Sequence, residues 1–204
     1  MHLATIVAGT REIISMRLIA GIIAITTAAS PVVAAEPVPV GAFQSVQLRG
    51  GGEVVVRHGP VQRVTITEGS RAVTRFEVAS RDRKLTISAC EERCPRNYKL
   101  RVEIVTPALA GLSIEGGGRL SAAGGFPQQR SLGLAILGGG EIDARSVRAA
   151  NVGASISGGG VINTHAVGQL GANINGGGAV RYWGDPRTAV NINGGGSVTR
   201  GTGR

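Results

Sequence analysis

The chain has 204 residues, of which 33 are Gly and only 3% aromatic, and its formal net charge is +9. A strongly basic balance favours acidic surfaces such as phosphorylated lipid, acidic glycan or nucleic acid, and the segment that opens the chain makes nucleic acid the least suitable of the three. Two cysteines and three histidines, none grouped as ligand pairs, argue against a metal centre or a bound cofactor.

The first element is a targeting segment. Met16-Arg17 precedes an apolar run from Leu18 to Ala29, and Val33-Ala34-Ala35 satisfies the small-residue rule for signal-peptidase cleavage before Glu36. The organisation expected is therefore a signal peptide over 1–35 and one domain over 36–204, exported to the periplasm or the cell exterior. Residues 1–15 read either as a leader extension or as a start-site artefact, since Met16 by itself begins an ordinary signal peptide. The rival reading, an uncleaved anchor, has an apolar run shorter than the roughly 20 residues a membrane span needs. Removing Arg11, Arg17 and Glu12 with the segment leaves a net charge of +8.

Residues 43–110 read as short strands. Val46 to Val54 surround a first Gly-Gly-Gly at 50–52, and further strands are expected over Glu53 to Arg57, Arg63 to Thr67, Arg75 to Ala79, Lys84 to Ala89 and Tyr98 to Val105. Arg81-Asp82-Arg83 has the composition of a hairpin tip, and Pro107 closes the last strand. Basic residues crowd 71–101 among Glu77, Asp82, Glu91 and Glu92, as on a solvated face. Cys90 and Cys94 bracket a short loop in the same region, and in an oxidising compartment they are expected to form a disulfide.

From 111 the chain repeats itself. Triplets recur at Gly116, Gly117 and Gly118; Gly138, Gly139 and Gly140; Gly158, Gly159 and Gly160; Gly176, Gly177 and Gly178; and Gly194, Gly195 and Gly196, spaced 18 to 22 residues apart, with Gly50, Gly51 and Gly52 as the earlier copy. Two residues before each triplet stand Leu48, Ile114, Ile136, Ile156, Ile174 and Ile192. Two residues after stand Val54, Leu120, Ile142, Ile162, Val180 and Val198. The positions between are polar or small, including Ser155, Ser157, Asn173, Asn175, Asn191 and Asn193. Period-two alternation on both sides of the glycines means strand, turn, strand, each strand with one buried face. The triplets are structural turns that supply positive φ and close backbone approach. They lack the following helix and the Gly-Lys-Ser/Thr ending of a phosphate loop, and the acid in every turn of a calcium-binding solenoid.

A unit this small buries its aliphatic face only by stacking on its neighbours. The fold class expected is all-β, a right-handed parallel β-helix, regular over 111–204 with an irregular first part over 43–110. The last unit repeats the pattern in full and is followed only by Thr199 to Arg204, from which a reversible, weak and salt-dependent homo-oligomer is expected, with the monomer as the equal alternative.

The opening Phe43-x-x-Val46 strand, Ile104-Val105-Thr106-Pro107, the Ile-x-Gly-Gly-Gly units and Tyr182-Trp183-Gly184-Asp185-Pro186 together resemble the auto-transporter adhesin head domain family called GIN. The resemblance spans nearly all of residues 36–204 and implies an exported right-handed parallel β-helix with adhesin-like binding. The family turn resembles Ser-Gly-x-Gly-Asp, whereas here an acid follows the triplet only at Glu53 and Glu141.

Two function classes suit such a solenoid. One is a non-catalytic binding or structural module of the cell envelope, with an acidic glycan, an envelope component or a protein as partner; the alternative is a polysaccharide-active β-helix enzyme. The enzyme needs converging carboxylates, and the acids of the repeats are Glu115, Glu141, Asp143 and Asp185, the first two in different columns. His165 has no acid beside it in sequence. The sequence therefore favours the binding module, with no catalytic, cofactor-binding or metal residues.

Overall fold

A computed structural model describes residues 35–90 and 94–202. The cleavage site expected before Glu36 adjoins this range, while the targeting segment itself lies outside the described residues. The described chain is all-β, with no helix, and its strands form a mixed sheet.

The repeat units give the clearest relation between sequence and pairing. The strands that precede the triplets are β2 (Ser45–Arg49), β8 (Gly111–Gly116), β10 (Gln129–Gly138), the second half of β11 (Glu141–Gly158), the second half of β12 (Val161–Asn175) and β14 (Arg187–Asn193). They pair in parallel so that Leu48, Ile114, Ile136, Ile156, Ile174 and Ile192 fall in one column. The strands that follow the triplets are β3 (Glu53–His58), β9 (Arg119–Ala123), the first halves of β11 and β12, β13 (Ala179–Trp183) and β15 (Ser197–Arg200). Their column runs Val54, Leu120, Ile142, Ile162, Val180 and Val198. A shift of one residue would expose every one of these side chains, so the aliphatic alternation fixes the register. Except for Ile192 and Val198, all of them are buried.

The triplets divide their labour. In the unit of residues 158–160, Gly158 has φ +129°, and a Cβ there would lie 2.4 Å from the Gly138 carbonyl oxygen. A Cβ on Gly160 would meet Ile136 Cγ2 at 2.7 Å, while one on Gly159 would meet nothing within 4 Å. The outer glycines are required by backbone approach, and the middle one is not.

The first part of the domain departs from the sequence order. β6 (Lys84–Ser88) pairs in parallel with β2, and β7 (Arg101–Thr106) pairs in parallel with β3, on the sides away from β8 and β9. The unit made of β6 and β7 therefore precedes the first triplet unit in space although it follows it in the chain. Where other units have glycines this one has Ala89 beside Gly50 and Leu100 beside Gly52, and the Cys90–Cys94 disulfide lies between them. The sheet is mixed because β4 (Arg63–Glu68) runs antiparallel to β7, β5 (Arg75–Ala79) antiparallel to β6, and β1 (Glu36–Pro37) antiparallel to β4. These strands cover one end of the stack. The turn between β5 and β6 lies at the expected tip, with Arg83 at φ 48°. At the other end Val190 and Ile192 are 47% and 39% exposed, whereas Ala172 and Ile174 in the neighbouring strand are 1% and 2% exposed.

Candidate binding surface

Three surface features carry chemistry. On the strands that follow the triplets, the first outward column alternates in charge. Arg101 bonds Glu53 at 2.8 Å, Glu53 faces Arg119 across β3 and β9, and Arg119 bonds Glu141 at 2.7 Å. Arg57 bonds Glu103 at 2.6 Å beside it, and Arg49 holds Glu115 at 2.8 Å on the other ladder. Gln47, between Thr86 and Ser113 in the polar column, is buried at 4% exposure, its amide donating to Glu115 and accepting from the Thr86 hydroxyl.

The second feature is a groove of about 660 Å³ assembled from four successive units, with Ala122, Asp143, His165 and Trp183 each from a different one. After Ala144 the pairing of β11 with β12 slips, so that Ala144 faces Thr164 but Arg148 faces His165. The bulge throws Arg145 outward, and the guanidinium comes to 5.2 Å from the centre of the Trp183 ring, two units along. Asp143 holds Arg145 in a fork, accepting from Nε at 2.9 Å and from Nη2 at 2.6 Å. Ser146 donates to the Ala122 carbonyl, and Trp183 faces His165 across β12 and β13. Burial alone would raise the Asp143 pKa, but the hydrogen bonds and charge of Arg145, with Arg119 behind, outweigh it and leave the carboxyl below its ordinary value. Burial, aided by the charge of Arg148, lowers that of His165. The groove thus presents a neutralised carboxylate, a guanidinium, an imidazole that disfavours protonation and an indole. This set suits binding better than proton transfer, which needs an unengaged acid or base near the working pH.

The third feature is the outward face of the strands that precede the triplets, where Asn173 lies beside Asn191 and Asn175 beside Asn193.

Sequence spacing left His165 alone, and the structure brings it into one groove with Asp143. The signal was present in a shared offset, since Arg145, His165 and Trp183 each stand five residues after the last glycine of a triplet, Gly140, Gly160 and Gly178, but the bulge that displaces Arg145 had no local mark. His58 is not part of this groove; its ring packs edge-on against Phe126 at 5.5 Å. Cys90 and Cys94 form the expected disulfide, with Cα atoms 5.8 Å apart. Among the described residues no group of three or more His, Cys, Asp or Glu side chains is placed to hold a metal ion.

The family described as "Putative auto-transporter adhesin, head GIN domain" matches residues 42–131 and 128–186. The chain belongs to this family. The chain is similar in fold to the crystal structure of a putative adhesin from Bacteroides fragilis, with 20% identity and a TM-score of 0.52, covering 82% of this chain and 96% of that one. A putative cell adhesion protein from Clostridium sporogenes gives 15% identity and a TM-score of 0.37, with 82% and 98% covered. A putative lipid binding protein from Parabacteroides distasonis gives 16% identity and 0.36, with 83% and 96% covered. No curated protein matches the chain. The first likeness supports the GIN chain's architecture, and at these identities none transfers a ligand.

Proposed function

We propose that this GIN chain is an exported, adhesin-like binding module of the cell envelope, built as a right-handed parallel β-helix, and that it carries no catalytic activity. The observation that carries the reading is the fate of the carboxylates. Glu115, Glu141, Asp143 and Asp185, the four acids of the repeat half, are each paired with an arginine, at 2.8, 2.7, 2.6 and 3.5 Å respectively. A glycosidase keeps two carboxyl groups roughly 5 to 9.5 Å apart and available to one sugar. Spending every acid on register and on Arg145 suits a surface that binds. The parallel ladders support the helix, since each triplet passes the chain from one ladder to the other and each unit advances by one strand; the right hand follows the preference for parallel crossovers.

The test uses the protein as exported. Intact-mass and N-terminal sequencing should place its start at Glu36, and retention of residues 16–30 would make it membrane-anchored instead. Saturable retention on isolated bacterial envelopes, without release of reducing ends from polysaccharide, is the expected behaviour. Reducing-end release that disappears in Asp143→Asn would establish the enzyme in its place.

A further inference from the structure

The face outside β10, β11, β12 and β14 carries a regular array. Ser155 and Ser157, Asn173 and Asn175, and Asn191 and Asn193 form three rows of two, in register across successive strands, and all six side chains are exposed. Rows of this kind repeat at about 4.8 Å, the spacing of paired strands. Nearer the start of the same strands, Asn151, Gln169 and Arg187 form a further exposed column.

The charge of this face is one-sided. No Asp or Glu occurs in β10, in β11 after residue 143, in β12 or in β14. Arg187 begins the column of Asn151 and Gln169, Arg130 directly precedes Ser131 at the same level, and Arg148 stands just ahead of the face, where β11 is opposite His165; all three are exposed. They thus mark the edge where the chain enters these strands. None of the three has an acidic partner among the described residues, in contrast to Arg49, Arg57, Arg101, Arg119 and Arg145.

We propose that this face binds an acidic linear polysaccharide laid along the stacking direction, with its carboxylate or sulfate groups on Arg130, Arg148 and Arg187 and its hydroxyls on the Ser and Asn rows. The inference rests on the reading of the domain as an exported binding module and names the ligand class. Guanidinium groups without an acidic partner, beside strands that carry no acid and with the bordering Glu115 and Asp185 paired to Arg49 and Arg200, attract an anion and hold it with charge-assisted hydrogen bonds. Amides that both donate and accept, repeated unit after unit, match a polymer presenting hydroxyls in series better than a single headgroup. Phe, Tyr and Trp, which stack nucleobases, are absent from these four strands.

The test is a binding titration of the exported chain with polygalacturonate as the acidic glycan, dextran as the neutral one, phosphatidylglycerol vesicles as the competing anionic surface, and bacterial envelopes as the general partner. The expected result is binding to polygalacturonate that weakens with salt and exceeds binding to dextran and to vesicles. The triple variant Arg130→Ala, Arg148→Ala, Arg187→Ala should lose about tenfold or more in affinity. Asn173→Ala with Asn191→Ala should weaken binding without changing the salt dependence. Arg81→Ala with Arg83→Ala, at the distant hairpin, should bind as the parent does. All substituted residues are exposed, so unchanged melting temperatures accompany these effects. Envelope binding without polygalacturonate binding, a triple variant that binds like the parent, or preference for the vesicles would each overturn the inference and leave the binding-module reading standing. Loss of envelope binding as well removes that reading too.

Discussion

Single residues in this fold are constrained by what lies in the next unit more than by their chain neighbours. The first glycine of a triplet combines positive φ with contact to a carbonyl, so Gly158→Ala should lose about 1–3 kcal/mol, the usual cost of forced backbone strain. Gly159→Ala, with open space around its Cβ, should stay within about 0.5 kcal/mol of the parent. Urea denaturation of the two variants separates these cases, and equal midpoints would show that the triplet is needed only for flexibility. His165 and Asp143 set a dependence on pH. Both are depressed in the folded state, so in each case the unfolded chain takes up its proton first as pH falls. The His165 contribution is complete above its ordinary value of 6.5 and is lost as pH drops through the lower folded value. The Asp143 contribution goes the same way in the carboxylate range. Melting temperature should therefore decline on acidification in two stages, and His165→Gln should abolish the first while leaving the second.

At the scale of elements, the disulfide loop between β6 and β7 replaces the glycine turn of the later units. A short closed loop constrains the unfolded chain little, so replacing Cys90 and Cys94 by Ser should cost about 1–2 kcal/mol, less than the roughly 3 of a 15-residue loop. Thiol titration of the unfolded, unreduced exported protein should find no free thiol, and two reactive thiols would remove the bridge from the account. The strands themselves were legible in the sequence. Arg75–Ala79 is found as read, and Glu53–His58 and Arg63–Glu68 each run one residue further. β7 begins three residues after the expected Tyr98, because the Tyr98 backbone closes a turn on Pro95 and its hydroxyl is engaged with Thr74. Local alternation finds such strands but does not say which strand each one pairs with.

For the whole molecule, stability is expected to be graded along the stack. Ile156 and Ile192 share one column, yet the first is 1% exposed between two neighbouring strands and the second 39% exposed at the edge. Ile156→Asp buries an unpaired carboxylate at a cost of several kcal/mol, against a total of about 5 to 15, and should unfold the domain. Ile192→Asp should leave it folded with a modest loss, as should Ser157→Asp on the exposed column. Equal melting temperatures for Ile156→Asp and Ser157→Asp would mean the register is wrong. Hydrogen exchange should likewise be fastest in β14 and β15 and slowest in β11 and β12. Exposed Val190 and Ile192 also mark where the weak self-association anticipated from the last repeat would occur. Light scattering should then show a mass that rises with protein concentration, and a constant monomer mass in high salt would dismiss it.

The sequence by itself determined the columns. Ile114, Ile136, Ile156, Ile174 and Ile192 align because aliphatic alternation has period two and the triplets mark its phase, and both are local properties. Membership of the GIN family was likewise legible in the Phe43-x-x-Val46 strand, Ile104 to Pro107, the repeat units and Tyr182 to Pro186 taken together. Only the tertiary structure decided that β6 and β7 lie on the far side of the first triplet unit, since a strand with one apolar face pairs equally well on either edge until the connecting hairpins choose. The common offset of Arg145, His165 and Trp183 from their triplets aligns them in sequence, but only the tertiary structure decided that Arg145 turns outward to Asp143 and Trp183, because the bulge after Ala144 arises from pairing between β11 and β12.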